Sequence, residues 1–138
     1  MSPQAREDIL RPRLDSGAYP RPLNFTVRHH SVRRLLFVCS QNRLRSPTAA
    51  QVFGSWPGVE AASAGLDASA EKPVSAELLQ WAHIIFVMEK SHRNRLLKKF
   101  KSHIRDQRII CLNIPDEYEY MDPQLVRLLQ ARVSKYLR

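Results

Sequence analysis

The sequence has few cysteines and no long apolar run. It holds only two cysteines, Cys39 and Cys111, in 138 residues, which is too few for the disulfide framework typical of small secreted domains. No stretch approaches the roughly 20 apolar residues that cross a bilayer, so no contact with a membrane is expected. The first residues also lack the apolar core of a secretory signal, and the chain shows no internal repeat and no low-complexity tract.

Aromatic residues are scarce where the positive charge is densest. The formal net charge is +9, and a basic cluster lies in the second half of the chain. Such a cluster is compatible with nucleic-acid binding, but few aromatic side chains that could stack on bases are interleaved with it. A solvated helix face, or a rim that attracts phosphorylated or acidic partners, explains it equally well, so nucleic acid is not an expected partner. The cluster comprises Lys90, Arg93, Arg95, Lys98, Lys99, Lys101, Arg105 and Arg108.

The first 34 residues differ in composition from the rest. They contain four prolines, seven arginines and three acidic residues, with no sustained periodicity. We predict a flexible basic extension over residues 1–33 and one globular domain over residues 34–138. A chain of this length is large enough for one hydrophobic core.

Beyond residue 34, short apolar runs alternate with helix-compatible segments. The run Leu35–Val38 has the length and bounds of a buried strand. The alternation predicts an α/β three-layer sandwich, with a four-stranded parallel sheet in the order 2-1-3-4 and helices on both faces. Ligands of such sheets bind at the carboxyl ends of the strands, where Cys39, Glu89 and Asp116 would gather. The further predicted elements are strands over 59–63, 84–88 and 108–112 and helices over 74–81, 91–101 and 124–136.

The most informative stretch begins where the first strand ends. Arg45 follows Cys39 by six positions, and Ser46 and Pro47 then precede a helix-compatible segment. Ser46 suits an N-cap and Pro47 the first helical position. The loop between Cys39 and Arg45 would then lie at a helix N-terminus, where backbone N–H groups and the helix dipole favour an anion. A buried core cysteine beside an unrelated arginine would give the same spacing, but it does not account for the flanking strand and helix.

The residue types of this loop suit phosphoryl transfer. A helix N-terminus and a nearby arginine favour the nucleophilic thiolate of Cys39, and Arg45 offers a planar fork for two phosphate oxygens. The Ser46 hydroxyl would donate to the sulfur as it leaves, and Asn42 would brace the loop or adopt a left-handed conformation. A reactive thiolate needs a reducing compartment, so a cytoplasmic location is expected. Cys111, inside an apolar run, is expected in the buried core.

The segment FVCSQNRLRSPTA resembles the signature of the low-molecular-weight protein tyrosine phosphatases, a strand, then C-x5-R-S, then a helix. Ser63-Ala64-Gly65 is similar to the turn after the family's second strand, and residues 82–89 to its third strand, with an acidic residue after the methionine. The resemblance covers residues 34–138 and implies the family's fold and cysteine-dependent phosphatase activity. It also implies a phosphate-binding loop formed by Ser40, Gln41, Asn42, Arg43, Leu44 and Arg45.

Three departures separate the chain from the family pattern. Gln41 stands where the family often has a glycine, and Leu44 stands where it often has a second cysteine that can form a protective disulfide. The chain is also shorter between Gly65 and Ala82, where the family builds part of the wall that grips an aromatic substrate ring. The resemblance therefore supports phosphate-ester chemistry more strongly than it supports phosphotyrosine as the substrate.

Phosphoryl transfer through cysteine also needs a general acid for the leaving oxygen and then a base for water. In the family the acid lies in a loop before the last helix, often with a proline before it and a tyrosine soon after. Pro115-Asp116-Glu117-Tyr118 resembles that loop, so Asp116 is the predicted acid. Asp122 is the alternative, although Asp122-Pro123 also fits a helix N-cap and the first helical residue.

Three functions stay open at this stage. The first is a phosphatase that hydrolyses phosphate monoesters, phosphotyrosine in particular, through a phosphocysteine. Its partners would be a phosphorylated protein or a small phosphate ester, with inorganic phosphate as product and inhibitor, and it needs no metal or cofactor. The second is a thiol-dependent reductase of the arsenate type, which needs a resolving thiol, and Cys111 is predicted to lie too deep in a strand to serve. The third is a non-catalytic module that binds phosphate or nucleic acid.

Overall fold

A computed structural model describes residues 32–137, so the predicted basic extension, apart from its last two residues, lies outside the described part. Four parallel strands, numbered along the chain, form one sheet in the order second, first, third, fourth, which confirms the predicted α/β sandwich and its strand order. The strands are β1 (Arg33–Cys39), β2 (Val59–Gly65), β3 (Ile84–Val87) and β4 (Arg108–Cys111). The helices are α1 (Arg45–Gly54), α2 (Ala76–Trp81), α3 (Lys90–Phe100) and α4 (Pro123–Val133).

The continuous apolar run of β1 is explained by burial on both faces of the sheet. Leu35 and Phe37 pack into one core together with α1 and α4. Leu36 and Val38 pack into the other together with α2 and α3. Phe37 stacks between two further rings, with centroid distances of 5.8 Å to Phe53 and 5.2 Å to Phe86. These cores fix β1 at the centre of the domain and therefore fix the position of the residues that follow it.

Two predicted helix starts are wrong. Helix α1 begins at Arg45, with Leu44 at the N-cap position, and not after an N-cap at Ser46, because the Ser46 hydroxyl is engaged by Cys39 and Asn42 instead. Helix α3 begins at Lys90, one residue before its predicted start at Ser91, with Glu89 at the N-cap position.

Other boundaries lie close to their predicted positions. Asp122 is the N-cap of α4 and accepts the Gln124 N–H, with Pro123 as the first helical residue, as predicted. Helix α4 ends at Val133 and not at Tyr136, because the last turn tightens into a 3-10 helix over Ser134–Tyr136. The remaining predicted ends lie within two residues of the observed ones. Within residues 32–137, no helix has the length and apolar character needed to cross a membrane.

Gly65 joins the end of β2 tightly to the loop that follows β1. A Cβ at this position would lie 2.6 Å from the Ala70 Cβ and 2.7 Å from the Ser40 carbonyl oxygen, closer than side-chain carbons approach other atoms. The neighbouring backbone continues the contact, because the Leu66 N–H donates to the Cys39 carbonyl and the Asp67 N–H to the Ser40 carbonyl. Only glycine therefore allows β2 and the Cys39 loop to meet in this way.

Candidate active site

Cys39 is the last residue of β1, and its sulfur lies at the centre of the loop that leads to α1. The Cys39 side chain is 4% exposed. Its Sγ accepts the backbone N–H of Asn42 at 3.2 Å and lies 2.9 Å from the Ser46 Oγ. A backbone N–H and a hydroxyl therefore contact this sulfur close to the N-terminus of α1.

Asn42 both adopts a left-handed conformation and braces the loop with its side chain. It has a positive φ of 58°, in the left-handed region that Asn tolerates better than most residues. Its buried side chain also braces the loop, because Oδ1 accepts the Ser46 hydroxyl at 2.8 Å. A hydroxyl has one proton, so Ser46 donates either to Asn42 or to the Cys39 sulfur. This single proton can follow the charge that develops on the sulfur during a reaction.

Arg45 is buried, with 5% of its side chain exposed, and its guanidinium makes two hydrogen bonds and one longer ion-pair contact. The Nη1 nitrogen donates to Glu89 Oε2 at 2.5 Å and to the Ile114 carbonyl at 2.7 Å, which uses both of its protons. The Nε nitrogen lies 3.7 Å from Asp116 Oδ1, beyond hydrogen-bond distance. Nε and Nη2 therefore make no hydrogen bond to any residue within 32–137 and form the edge that can bind two oxygens of an anion.

Glu89 and His92 form a capping box at the start of α3. The Glu89 side chain accepts the His92 N–H, and the Glu89 N–H donates to His92 Nδ1 at 3.1 Å. The ring is buried, and burial, followed by the charge of Arg45, lowers the pKa of His92. A neutral ring whose Nδ1 accepts carries its proton on Nε2, which lies 3.2 Å from the Ser40 Oγ. His92 therefore donates to the Cys39 loop.

Ser40 receives a second donor from α3. Arg95 Nη1 donates to Ser40 Oγ at 3.3 Å, and Arg95 Nη2 is paired with Asp67 Oδ1 at 2.5 Å. The other oxygen of Asp67 accepts the side-chain N–H of Gln41. Because two donors occupy its lone pairs, the Ser40 hydroxyl keeps its own proton for another acceptor, such as an oxygen of an anion in the loop.

Sequence reasoning missed the roles of His92 and Arg95. Arg95 was predicted only as part of the basic surface cluster, and no role was assigned to His92. The contacts to Ser40 span 52 and 55 residues, so no local pattern shows them. The spacing Glu89-x-x-His92 was nevertheless readable as a variant capping box, with a polar acceptor three residues after the N-cap.

The loop opens into a cleft of about 410 Å³, where most of the predicted site residues meet. Asp116 lines it and is 66% exposed. Asn42 is buried beneath it, and the alternative acid, Asp122, caps α4 and is not a lining residue. None of the described lining residues is Phe, Tyr or Trp, and His92 supplies the one ring among them. The lining residues are Cys39, Ser40, Gln41, Arg43, Leu44, Arg45, Glu89, Ser91, His92 and Asp116.

The two cysteines lie on opposite faces of the sheet. Cys39 belongs to the core under α1 and α4, whereas Cys111 packs against the core under α2 and α3. Cys111 is half-buried on the edge strand β4 and not fully buried as predicted, because no further strand among residues 32–137 pairs with that edge. With β3 between them, their Cα atoms are roughly 10 Å apart, too far for a disulfide.

No protein-family model and no curated protein matches this sequence, but solved structures match it. Wzb of Vibrio vulnificus in complex with benzylphosphonate shares 19% identity, with a TM-score of 0.63, over 77% of this chain and 97% of that chain. The YwlE arginine phosphatase of Geobacillus stearothermophilus shares 22%, with 0.60, over 76% and 92%. The low-molecular-weight protein tyrosine phosphatase of T. tengcongensis shares 21%, with 0.61, over 75% and 99%. This chain therefore has the fold of that family, as its motif predicted.

Proposed function

We propose that this protein is a cysteine-dependent phosphatase that hydrolyses phosphate monoesters through a phosphocysteine on Cys39. The proposal rests on the groups that surround the Cys39 sulfur. Cys39 Sγ accepts a loop N–H, and the buried Arg45 lines the same cleft with an Nε and Nη2 edge that makes no hydrogen bond within residues 32–137. A phosphate group is the ligand that such a loop and such a guanidinium edge bind best.

In the first step, the loop N–H groups and Arg45 hold the non-bridging oxygens of the phosphate. The Ser40 hydroxyl, whose lone pairs already accept from His92 and Arg95, donates its proton to one of these oxygens. The Cys39 thiolate then forms a bond to phosphorus while the bond from phosphorus to the ester oxygen breaks. Asp116, at the cleft and protonated, gives its proton to the departing oxygen.

In the second step, water hydrolyses the phosphocysteine. The Asp116 carboxylate takes a proton from the water, a bond forms between the water oxygen and phosphorus, and the sulfur–phosphorus bond breaks. The sulfur leaves as a thiolate, and the Ser46 hydroxyl, 2.9 Å away, turns its proton from Asn42 toward it. Arg45 stabilises the charge on the phosphoryl oxygens throughout.

Location supports Asp116 as the acid. Asp116 lines the cleft and lies near Arg45, whereas the Asp122 carboxylate accepts the Gln124 N–H as a helix cap. A cap explains Asp122 fully, and Asp122 is not among the residues that line the cleft.

The substrate proposal is phosphorylated proteins or small phosphate esters, with phosphotyrosine as the first candidate. Similar folds belong both to tyrosine phosphatases and to an arginine phosphatase. The exposed Arg43 at the cleft would repel the guanidinium of phosphoarginine, which favours a phosphate ester. The arsenate-type reductase is disfavoured, because Cys111 lies on the opposite face of the sheet from Cys39. The need of a reactive thiolate for a reducing compartment supports a cytoplasmic location.

Replacement of the nucleophile tests the proposal. The Cys39→Ser variant should release no phosphate from phenyl phosphate, whereas the control Cys111→Ser should keep the turnover of the wild type. Acid quenching during turnover should trap phosphate on Cys39. Phosphate binding without turnover in the wild type would instead indicate a non-catalytic module, and arsenate-dependent thiol oxidation would indicate the reductase.

A further inference from the structure

The guanidinium of Arg43 is a charged group in the cleft that the proposed mechanism does not use. Arg43 lies in the middle of the Cys39 loop, lines the cleft and is exposed. Its neighbour Asn42 is buried and hydrogen-bonded to Ser46, so the backbone that carries Arg43 is held in place. Within residues 32–137, the Arg43 guanidinium makes neither an ion pair nor a hydrogen bond.

The other arginine that lines the cleft, Arg45, already has partners. Arg45 is buried against Glu89 and lies near Asp116, and its free edge serves the scissile phosphate. The ion-pair contact of Asp116 within the described residues is with Arg45 Nε at 3.7 Å, and not with Arg43. Arg43 is therefore the one lining arginine, among the described residues, whose charge is not balanced by a carboxylate or needed by the reacting phosphate.

The cleft also lacks the groups that would select an aromatic ring. None of the described lining residues is Phe, Tyr or Trp, and the ring of His92 is buried and held by Glu89 and Ser40. Tyr118 packs against the core, and Tyr120, although exposed, is not a lining residue. Apart from Leu44, the part of the substrate next to the phosphate would therefore meet polar and charged side chains such as Gln41, Arg43 and Ser91.

We propose that Arg43 makes this site selective for phosphate monoesters that carry a second anionic group, a carboxylate or a further phosphate, close to the ester oxygen. The proposal rests on the phosphatase function proposed above and specifies its substrate class. Arginine binds both groups through the same planar pair of N–H donors. Because the guanidinium is exposed, the interaction is screened by salt.

Substrates with matched leaving groups isolate this effect. We would compare kcat/KM for meta-carboxyphenyl phosphate with that for its neutral analogue, meta-carbamoylphenyl phosphate. The ratio of the two values cancels effects on the reacting phosphate itself. A third substrate, meta-phenylene bisphosphate, corrected for its two equivalent esters, distinguishes a second phosphate from a carboxylate. In the wild type at low salt the ratio should be roughly fivefold, the size expected of one exposed charge pair.

Three variants identify the residue responsible. Arg43→Gln should reduce the ratio to about one, and Arg43→Lys should keep part of it, because the charge stays while the planar fork is lost. The control Arg127→Gln removes an exposed arginine of α4 that does not line the cleft, and it should keep the wild-type ratio. Added salt should lower the wild-type ratio and leave that of Arg43→Gln unchanged.

Two results would overturn the proposal. A wild-type ratio of one or less would show no selection for a second anion. An equal loss with both substrates in Arg43→Gln would show that Arg43 serves the scissile phosphate or the ring instead. Calorimetric binding of the same substrates to Cys39→Ser, with and without Arg43→Gln, gives the ratio independently of turnover. Selective binding without any turnover in the wild type would therefore refute the phosphatase proposal and keep the specificity of Arg43.

Discussion

Gly65 lies so close to Ser40 that a Cβ on the glycine would approach the Ser40 carbonyl oxygen to 2.7 Å. The end of β2 is thus packed directly against the Cys39 loop, although the two residues are far apart in sequence. This contact explains why a glycine ends the Ser63-Ala64-Gly65 turn, and it makes the geometry of the loop sensitive to one methyl group.

Gly65→Ala should therefore lower both stability and activity. The methyl group would meet backbone atoms of the loop, so we expect a loss of about 1–3 kcal/mol in the free energy of unfolding, as for overpacked sites, measured by urea denaturation. The control Gly54→Ala meets nothing closer than the Ala61 Cβ at 4.0 Å and should be neutral or slightly stabilising. Full activity in Gly65→Ala would contradict the proposed coupling between β2 and the loop.

Ser46→Ala should slow hydrolysis of the phosphocysteine more than its formation. Without the hydroxyl, the departing sulfur loses a donor, and the Asn42 Oδ1 loses its partner. We expect kcat to fall about 10- to 100-fold, as for loss of one hydrogen bond to a charged group, with a burst of phenol release before the steady state. Ser55→Ala, at an exposed position, is the control. Loss of activity without a burst would place the role of Ser46 in the first step.

The two candidate acids can be separated by the leaving group. Asp116→Asn should reduce turnover of phenyl phosphate strongly and that of nitrophenyl phosphate weakly, because nitrophenolate leaves without a proton. Asp122→Asn keeps a capping side chain and should reduce both by little. If the selective loss appears in Asp122→Asn, the assignment to Asp116 is wrong.

His92 should make stability depend on pH below neutrality. Burial, followed by the charge of Arg45, lowers its pKa in the folded protein below the ordinary value of 6.5, against smaller opposing effects of Glu89 and Asp116. As the pH falls below 6.5, the unfolded chain binds a proton that the folded protein does not yet bind, so the free energy of unfolding decreases. Above 6.5 both states are neutral and the dependence disappears.

The measurement compares urea unfolding of the wild type and of His92→Gln at neutral pH and about one unit below the ordinary histidine pKa. The variant should lose less stability than the wild type on acidification, because the other histidines are common to both proteins. An equal loss in the two proteins would show that His92 does not carry the dependence. A larger loss in the variant would show the opposite sign.

The fold was largely predictable because its signals are local. The apolar run Leu35–Val38 could bury both faces only as an inner strand of a parallel sheet, and Asp122-Pro123 marks a helix start by its own chemistry. Ser46 shows the limit of such signals. A serine before a proline predicts an N-cap, yet the hydroxyl is better used by Cys39 and Asn42 once the loop has closed.

The nucleophile and its arginine were predictable from one segment, but their supports were not. His92 and Arg95 contact Ser40 only because β3 pairs with β1 and brings the start of α3 beside the loop. From the sequence alone, the same two side chains belong to an ordinary basic helix. The roles of His92 and Arg95 could not be predicted because both residues lie far from Ser40 in the sequence.

The left-handed backbone of Asn42, the contact at Gly65 and the bridge from Arg95 to Asp67 exist before any ligand arrives. The loop therefore gives up its conformational entropy when the chain folds and has little left to lose when phosphate binds. We expect amide exchange in this segment to be slow in the free protein and almost unchanged with phosphate bound. Phosphate would then bind without a change in the conformation of the loop.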